Sequence, residues 1–136
     1  MLELQQKSNR TVLYVEDNPA NLRLGAQILR RLPNIRLQSA HTGDIGLALA
    51  RSDCPDLIIL DINLPGMDGY EVLRRLQSYQ ETRKIPVIAL SANAMPQDIE
   101  RGLASGFDSY LTKPLKVAEF IKVLNKLLPD DSATKQ

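Results

Sequence analysis

Four short apolar runs in this chain each stop on a polar residue with definite chemistry. "TVLYVE" ends on Glu16 and is followed by Asp17, "DLIILD" ends on Asp61, "IPVIALS" ends on Ser91, and "SYLTKP" ends on Lys113 and Pro114. A carboxylate closing a run such as "LIIL" is costly at the edge of a core unless something pairs with it. Two like charges ~4 Å apart repel by about 4 kcal/mol at an effective dielectric of about 20. Three carboxylates in one small site therefore protonate in part or gather a divalent cation. Oxygen donors with no His or Cys beside them select a hard cation, and few protein ligands with room for water favour Mg²⁺ over Ca²⁺. A Mg²⁺ site faced by an ammonium and a hydroxyl is suited to hold a phosphoryl group. Asp61, central among these residues, is then a candidate nucleophile that forms an aspartyl phosphate.

That chemistry needs a scaffold that brings the run ends together. The apolar pattern alternates between β-type runs and helical ones. Strands are expected at residues 11–16, 35–40, 56–61, 85–91 and 109–114, the second being the weakest. Helical stretches lie between and after them. The first has Asn18 as N-cap, Pro19 at the first helical position, and Leu22, Ala26 and Leu29 on one face. The second carries Ile45 and Leu49 four residues apart. The third opens with Asp68 and Glu71 in capping-box spacing. The fourth, "PQDIERGLASG", is a poor helix, because interior Gly102 costs about 1 kcal/mol relative to Ala. It reads as a short connector, or as an element soft enough to shift. The last is expected to bury Val117, Ile121, Leu124 and Leu128, widened by Phe120, Val123 and Leu127. Five β/α units in alternation predict an α/β domain with a doubly wound, five-stranded parallel sheet and helices on both faces. Such sheets bind ligands at the carboxyl ends of their strands, where the polar residues sit. One domain over residues 10–129 is expected, closed by Pro129, with polar tails at 1–9 and 130–136.

Taken together, "VLYVEDNPAN", "PDLIILDINLPGMDGYEVLRRL", "IPVIALSANA" and "GFDSYLTKP" resemble the receiver domain of two-component response regulators, in order and at family spacing. The resemblance implies a flavodoxin-like fold with strand order 2-1-3-4-5. It implies that Asp61 is the phospho-acceptor, and that Glu16, Asp17 and the backbone carbonyl of Asn63 join it in holding Mg²⁺. It further implies that Ser91 and Lys113 receive the phosphoryl group, that Tyr110 switches with Ser91, and that the Lys113–Pro114 peptide is cis. The implied partner is a histidine kinase or a histidine phosphotransfer protein. The implied oligomeric state is a monomer or a weak homodimer through the fourth and fifth helices. "SANAMPQDIERGLASGFDSYLTKP" also resembles receivers fused to hybrid histidine kinases, which suggests an excised phosphorelay domain or a free-standing relative of one. The chain is expected to catalyse only its own phosphorylation and dephosphorylation, and so not to be an enzyme acting on a separate metabolite.

Blander and rival readings bound this one. Taken alone, Asp61 would cap a turn, Ser91 would be a turn residue, Lys113 a solvated lysine and Tyr110 plain packing; the constellation at matching strand ends favours the site. "DINLPG" begins like an EF-hand loop but fails, with Pro65 at a ligand position and Val72 where the bidentate Glu belongs. A phosphohydrolase of the haloacid-dehalogenase type wants a second acid where Asn63 stands. A pseudo-receiver, binding without phosphate, would usually have lost an acidic or Lys position. No G-x-x-x-x-G-K-[ST] loop is present. His41, the only histidine, lies in a loop and reads as solvated. Cys54, the only cysteine, permits no internal disulfide, fits a reducing compartment, and is expected as a small buried or half-buried filler. Lys+Arg 17 against Asp+Glu 16 leaves a net charge of +1, so no global field points to nucleic acid or to a membrane. With no apolar signal core and no run long enough to span a bilayer, the chain reads as cytoplasmic.

Overall fold

The structure is a computed structural model and describes residues 10–128 apart from Pro33. Among the described residues, five strands and five helices alternate. The strands are β1 (Arg10–Val15), β2 (Ile35–Ala40), β3 (Leu57–Asp61), β4 (Val87–Ser91) and β5 (Ser109–Thr112). The helices are α1 (Pro19–Arg30), α2 (Gly43–Asp53), α3 (Gly69–Ser78), α4 (Pro96–Ser105) and α5 (Val117–Leu127). All strand pairs are parallel, in the order β2-β1-β3-β4-β5. The expected fold and strand order are therefore observed, with boundaries moved by one or two residues. Pro129 and both tails lie outside the described residues. Among the described residues, no helix is long and apolar enough to cross a membrane.

The central strands β3 and β4 are buried along their whole length, as continuous apolar runs in a sheet covered on both faces require. Alternation along each strand sorts the core into two layers. Leu13, Val15, Ile58, Leu60, Val87 and Ala89 face α2 and α3, meeting Leu47, Val72 and Leu76. Val12, Tyr14, Ile59, Ile88, Leu90 and Leu111 face α1 and α5, meeting Ile28, Leu29, Phe120 and Leu124. The same period of two, carried past the strand ends, decides which polar residues share a face.

The caps agree in part with expectation. Asn18 Oδ1 accepts the N–H groups of Ala20 and Asn21 at the start of α1. Asp68 Oδ1 accepts the Glu71 N–H, 3.0 Å away, so half of the expected capping box forms. Glu71 turns instead to Arg74 and Arg75, its i+3 and i+4 neighbours. Three packing expectations are corrected. In α2 the sheet-facing positions are Gly46, Leu47 and Ala50, and Ile45 is exposed, because Gly46 lies directly against Val15 and turns the helix that way. In α5 the stripe is centred on Phe120 and Leu124, and Val117 is exposed. Cys54 is exposed, since it is the left-handed C-cap of α2, with φ 46°, outside the core.

Candidate functional site

β1, β3 and β5 deliver Glu16, Asp61 and Lys113 to one rim. Each lies two residues beyond a side chain of the α1/α5 layer (Tyr14, Ile59 and Leu111), so alternation aims all three the same way. Lys113 Nζ lies 3.0 Å from Asp61 Oδ2 and 3.2 Å from Glu16 Oε1. Glu16 is fully buried and Asp61 is 2% exposed. The oxygens of Glu16, Asp17 and Asp61 lie within 4.8 Å of one another, with Asp17 on the solvent side. Backbone amides complete the frame. Asn63 N–H donates to Asp61 Oδ1 at 2.9 Å, and Asn18 N–H donates to Glu16 Oε2 at 3.2 Å.

Ser91 follows Ala89 and so leaves from the opposite, α2/α3 layer, together with Tyr110, the register partner of Ala89. Ser91 Oγ accepts the N–H of Asn93 at 3.0 Å, and the Tyr110 hydroxyl donates to the Asn93 carbonyl at 2.9 Å. The two layers meet through the main chain, where Lys113 N–H donates to the Ser91 carbonyl at 2.8 Å. The Lys113–Pro114 peptide is cis. His41 is exposed, in the turn after β2.

Burial dominates the electrostatics of the rim. It raises the Glu16 carboxyl above its ordinary value, reinforced by the neighbouring Asp61, while the Asn18 N–H and Lys113 pull the other way. Burial also raises the Tyr14 phenol beneath, with the charges of Glu16 and Asp61 adding to it. For Lys113 burial acts downward, but the Asp61 hydrogen bond and the charges of Asp61 and Glu16 outweigh it, and the ammonium is raised. A group raised on folding favours the native state below its unfolded value and ceases to as pH climbs. For Glu16 this means that the ionised form is a burden at neutral pH. Glu16→Gln is expected to raise the thermal midpoint in chelator by ~3–5 °C, which is roughly 1 kcal/mol for a domain of this size. The gain should shrink toward pH 4, where the native glutamate is itself neutral. A series of melts from pH 4 to pH 8 checks both statements, and a gain constant across that range would contradict the assignment.

Three positions to which sequence reading gave no part in the site matter here. Asn18 serves Glu16 as well as the helix, and Asn93 joins Ser91 to Tyr110. Gly69 lies directly against the backbone of Asp61 and Ile62: a Cβ there would fall 2.6 Å from Ile62 Cα and 2.8 Å from the Asp61 carbonyl oxygen. A glycine directly after a helix N-cap, in "MDGY", was the available signal for this close approach.

A family model described as the response regulator receiver domain matches residues 12–125. The chain belongs to that family. Among relatives of this receiver, the polar-differentiation response regulator DivK of Brucella ovis is 40% identical over 123 residues, covering 89% of this chain and 98% of DivK. The receiver domain of the sensor histidine kinase PA1611 from Pseudomonas aeruginosa, solved with a magnesium ion coordinated in its active-site cleft, is 35% identical. It matches 88% of this receiver and 97% of that chain with a TM-score of 0.80. The chemotaxis response regulator CheY4 of Vibrio cholerae, 26% identical, matches 88% of this receiver and 99% of its own chain with a TM-score of 0.81.

Proposed function

We propose that this receiver accepts a phosphoryl group on Asp61 from a phosphohistidine of a histidine kinase or histidine phosphotransfer protein. The observation that carries this reading is the Asp61 carboxylate itself. It is buried at the tip of β3, paired with Lys113 at 3.0 Å, and grouped with Glu16 and Asp17. In the transfer, an Asp61 oxygen forms a bond to phosphorus as the phosphorus–nitrogen bond breaks, and the electron pair of that bond returns to the imidazole. Asn63 N–H holds one carboxylate oxygen and Lys113 the other, which fixes the orientation of the group, positioning of the kind that phosphoryl transfer needs. Lys113 also balances the charge of the incoming group, and the Ser91 hydroxyl, whose oxygen accepts the Asn93 N–H, still has its O–H to donate to it. Tyr110, tied to Asn93, follows the Ser91 loop.

The rim fits Mg²⁺. Its donors are carboxylate oxygens, and the buried Glu16 Oε1 has the Lys113 ammonium 3.2 Å away but makes no well-formed hydrogen bond. Glu16, Asp17, Asp61 and the Asn63 carbonyl would hold the ion, which, when bound, screens charge between the acceptor and the phosphoryl oxygens. The magnesium in the PA1611 receiver supports this choice of ion. The chain acts on itself rather than on a separate metabolite, works in the cytoplasm, and is a monomer or a weak homodimer through α4 and α5.

Incubation with a small acyl phosphate, with and without Mg²⁺, followed by intact-mass measurement tests this reading. A Mg²⁺-dependent, acid-stable and base-labile phosphate adduct is expected. Mg²⁺ binding without any adduct would overturn it in favour of a receiver that binds partners without phosphate.

A further inference from the structure

α4 is the least embedded helix of this receiver. Gly102 is its only buried residue, whereas Leu103 is 47% exposed and Met95, the N-cap, 57%. That N-cap makes no side-chain hydrogen bond. Two tyrosines seat the helix. The Tyr110 ring lies so close under Gly102 that a Cβ there would fall 2.6 Å from its Cδ2. Tyr70, in the first turn of α3, brings its hydroxyl to 3.7 Å from the same point. Arg101, the neighbour of Gly102, places its guanidinium 4.3 Å from the centroid of the Tyr70 ring. Phe107, itself buried, meets that ring edge-on at 5.7 Å and an interplanar angle of 72°, so the ring is a fixed platform.

The geometry points to a latch: the Arg101–Tyr70 contact holds α4 against α3 and sets how often this helix lifts from the domain. A planar guanidinium over an aromatic face is attractive without needing a buried charge. With one buried residue in ten, α4 is held besides by the Tyr110 ring under Gly102 and by a 3.4 Å hydrogen bond from Gln77 Nε2 to the Ser105 carbonyl, and segments with few buried contacts open locally before the whole fold does. The latch is separate from the Tyr110–Asn93 hydrogen bond and does not depend on phosphorylation of Asp61.

Amide hydrogen exchange by mass spectrometry on the unphosphorylated chain tests it, since peptides across residues 96–105 report α4 directly. Arg101→Ala and Tyr70→Leu are each expected to speed exchange in α4 by roughly 2- to 5-fold, the worth of a cation–π contact at an exposed site. Exchange in β1 and β3 should stay at the native rate. The double variant should exchange no faster than Tyr70→Leu alone, because that variant already removes the contact Arg101 makes. Tyr70→Phe keeps the ring and should behave as the native protein. Unchanged α4 exchange in the single variants, additive effects in the double variant, or equal acceleration in β1 and β3 would each overturn the latch.

Discussion

Asp61→Asn should lose the phosphate adduct completely and yet fold at least as stably as the native chain. A carboxamide is close in shape to a carboxylate, and its oxygen can still accept the Asn63 N–H that now sits 2.9 Å from Oδ1. What it lacks is the charge and lone-pair availability of a nucleophile. On the stability side, the substitution removes a nearly buried negative charge beside fully buried Glu16, whose own carboxyl is raised first by burial and then by Asp61. Lys113 keeps Glu16 as a partner at 3.2 Å. The expected change in unfolding free energy in chelator is therefore zero to about +1 kcal/mol, since relieved repulsion outweighs one lost ion pair. Intact mass after acyl-phosphate treatment reads the first half, and urea unfolding the second. Residual adduct would move the acceptor elsewhere, while a loss of several kcal/mol would make Asp61 a structural anchor.

Lys113→Met carries the opposite sign. It leaves two carboxylates at the rim, 0% and 2% exposed, with no cation between them. Breaking a fully buried pair from one side costs about 3–5 kcal/mol. Because the Lys113 side chain is 22% exposed and the carboxylates can take up protons, about 2–3 kcal/mol is expected in chelator. Saturating Mg²⁺ should return much of it, since a ligand that binds only the native state stabilises by mass action. The pH dependence has a definite sign. Lys113 is raised above the ordinary 10.5, so its contribution is complete below that value and fades as pH rises through the folded one. The gap between native and variant protein should hold at neutral pH, narrow in strong alkali as Lys113 loses its proton, and narrow also in acid as Glu16 gains one. Equal stability of the two proteins in chelator would mean that the carboxylates were never held charged together.

The rim was legible in the sequence because each buried strand must end somewhere. Where the end is a carboxylate, a hydroxyl or an ammonium, no packing argument accounts for it. Glu16, Asp61, Ser91 and Lys113 stand out as breaks in apolar runs, and the alternation of those runs with helices predicts the parallel sheet, whereas its strand order was implied by the family resemblance alone. Helix phase was harder to read. Counting apolar residues pointed α2 toward Ile45 and Leu49, but the nearness of Val15 demands that Gly46 face the sheet. Likewise Val117 begins a plausible stripe in α5, and only the depth of the layer around Tyr14 and Leu111 selects Phe120. Sequence reading gave Gly102 only a cost to its helix. The missing Cβ is what lets Tyr110 approach. Such facts belong to pairs of elements far apart in the chain, and a local pattern does not carry them.

Because α4 buries a single residue, its surface is nearly free of obligations to the core. Exchanging Met95, Gln97, Glu100 or Leu103 disturbs no packed layer, so each position can vary almost at will while Gly102 stays in place. The outward side of one helix can therefore be altered without changing how the rest of the chain folds.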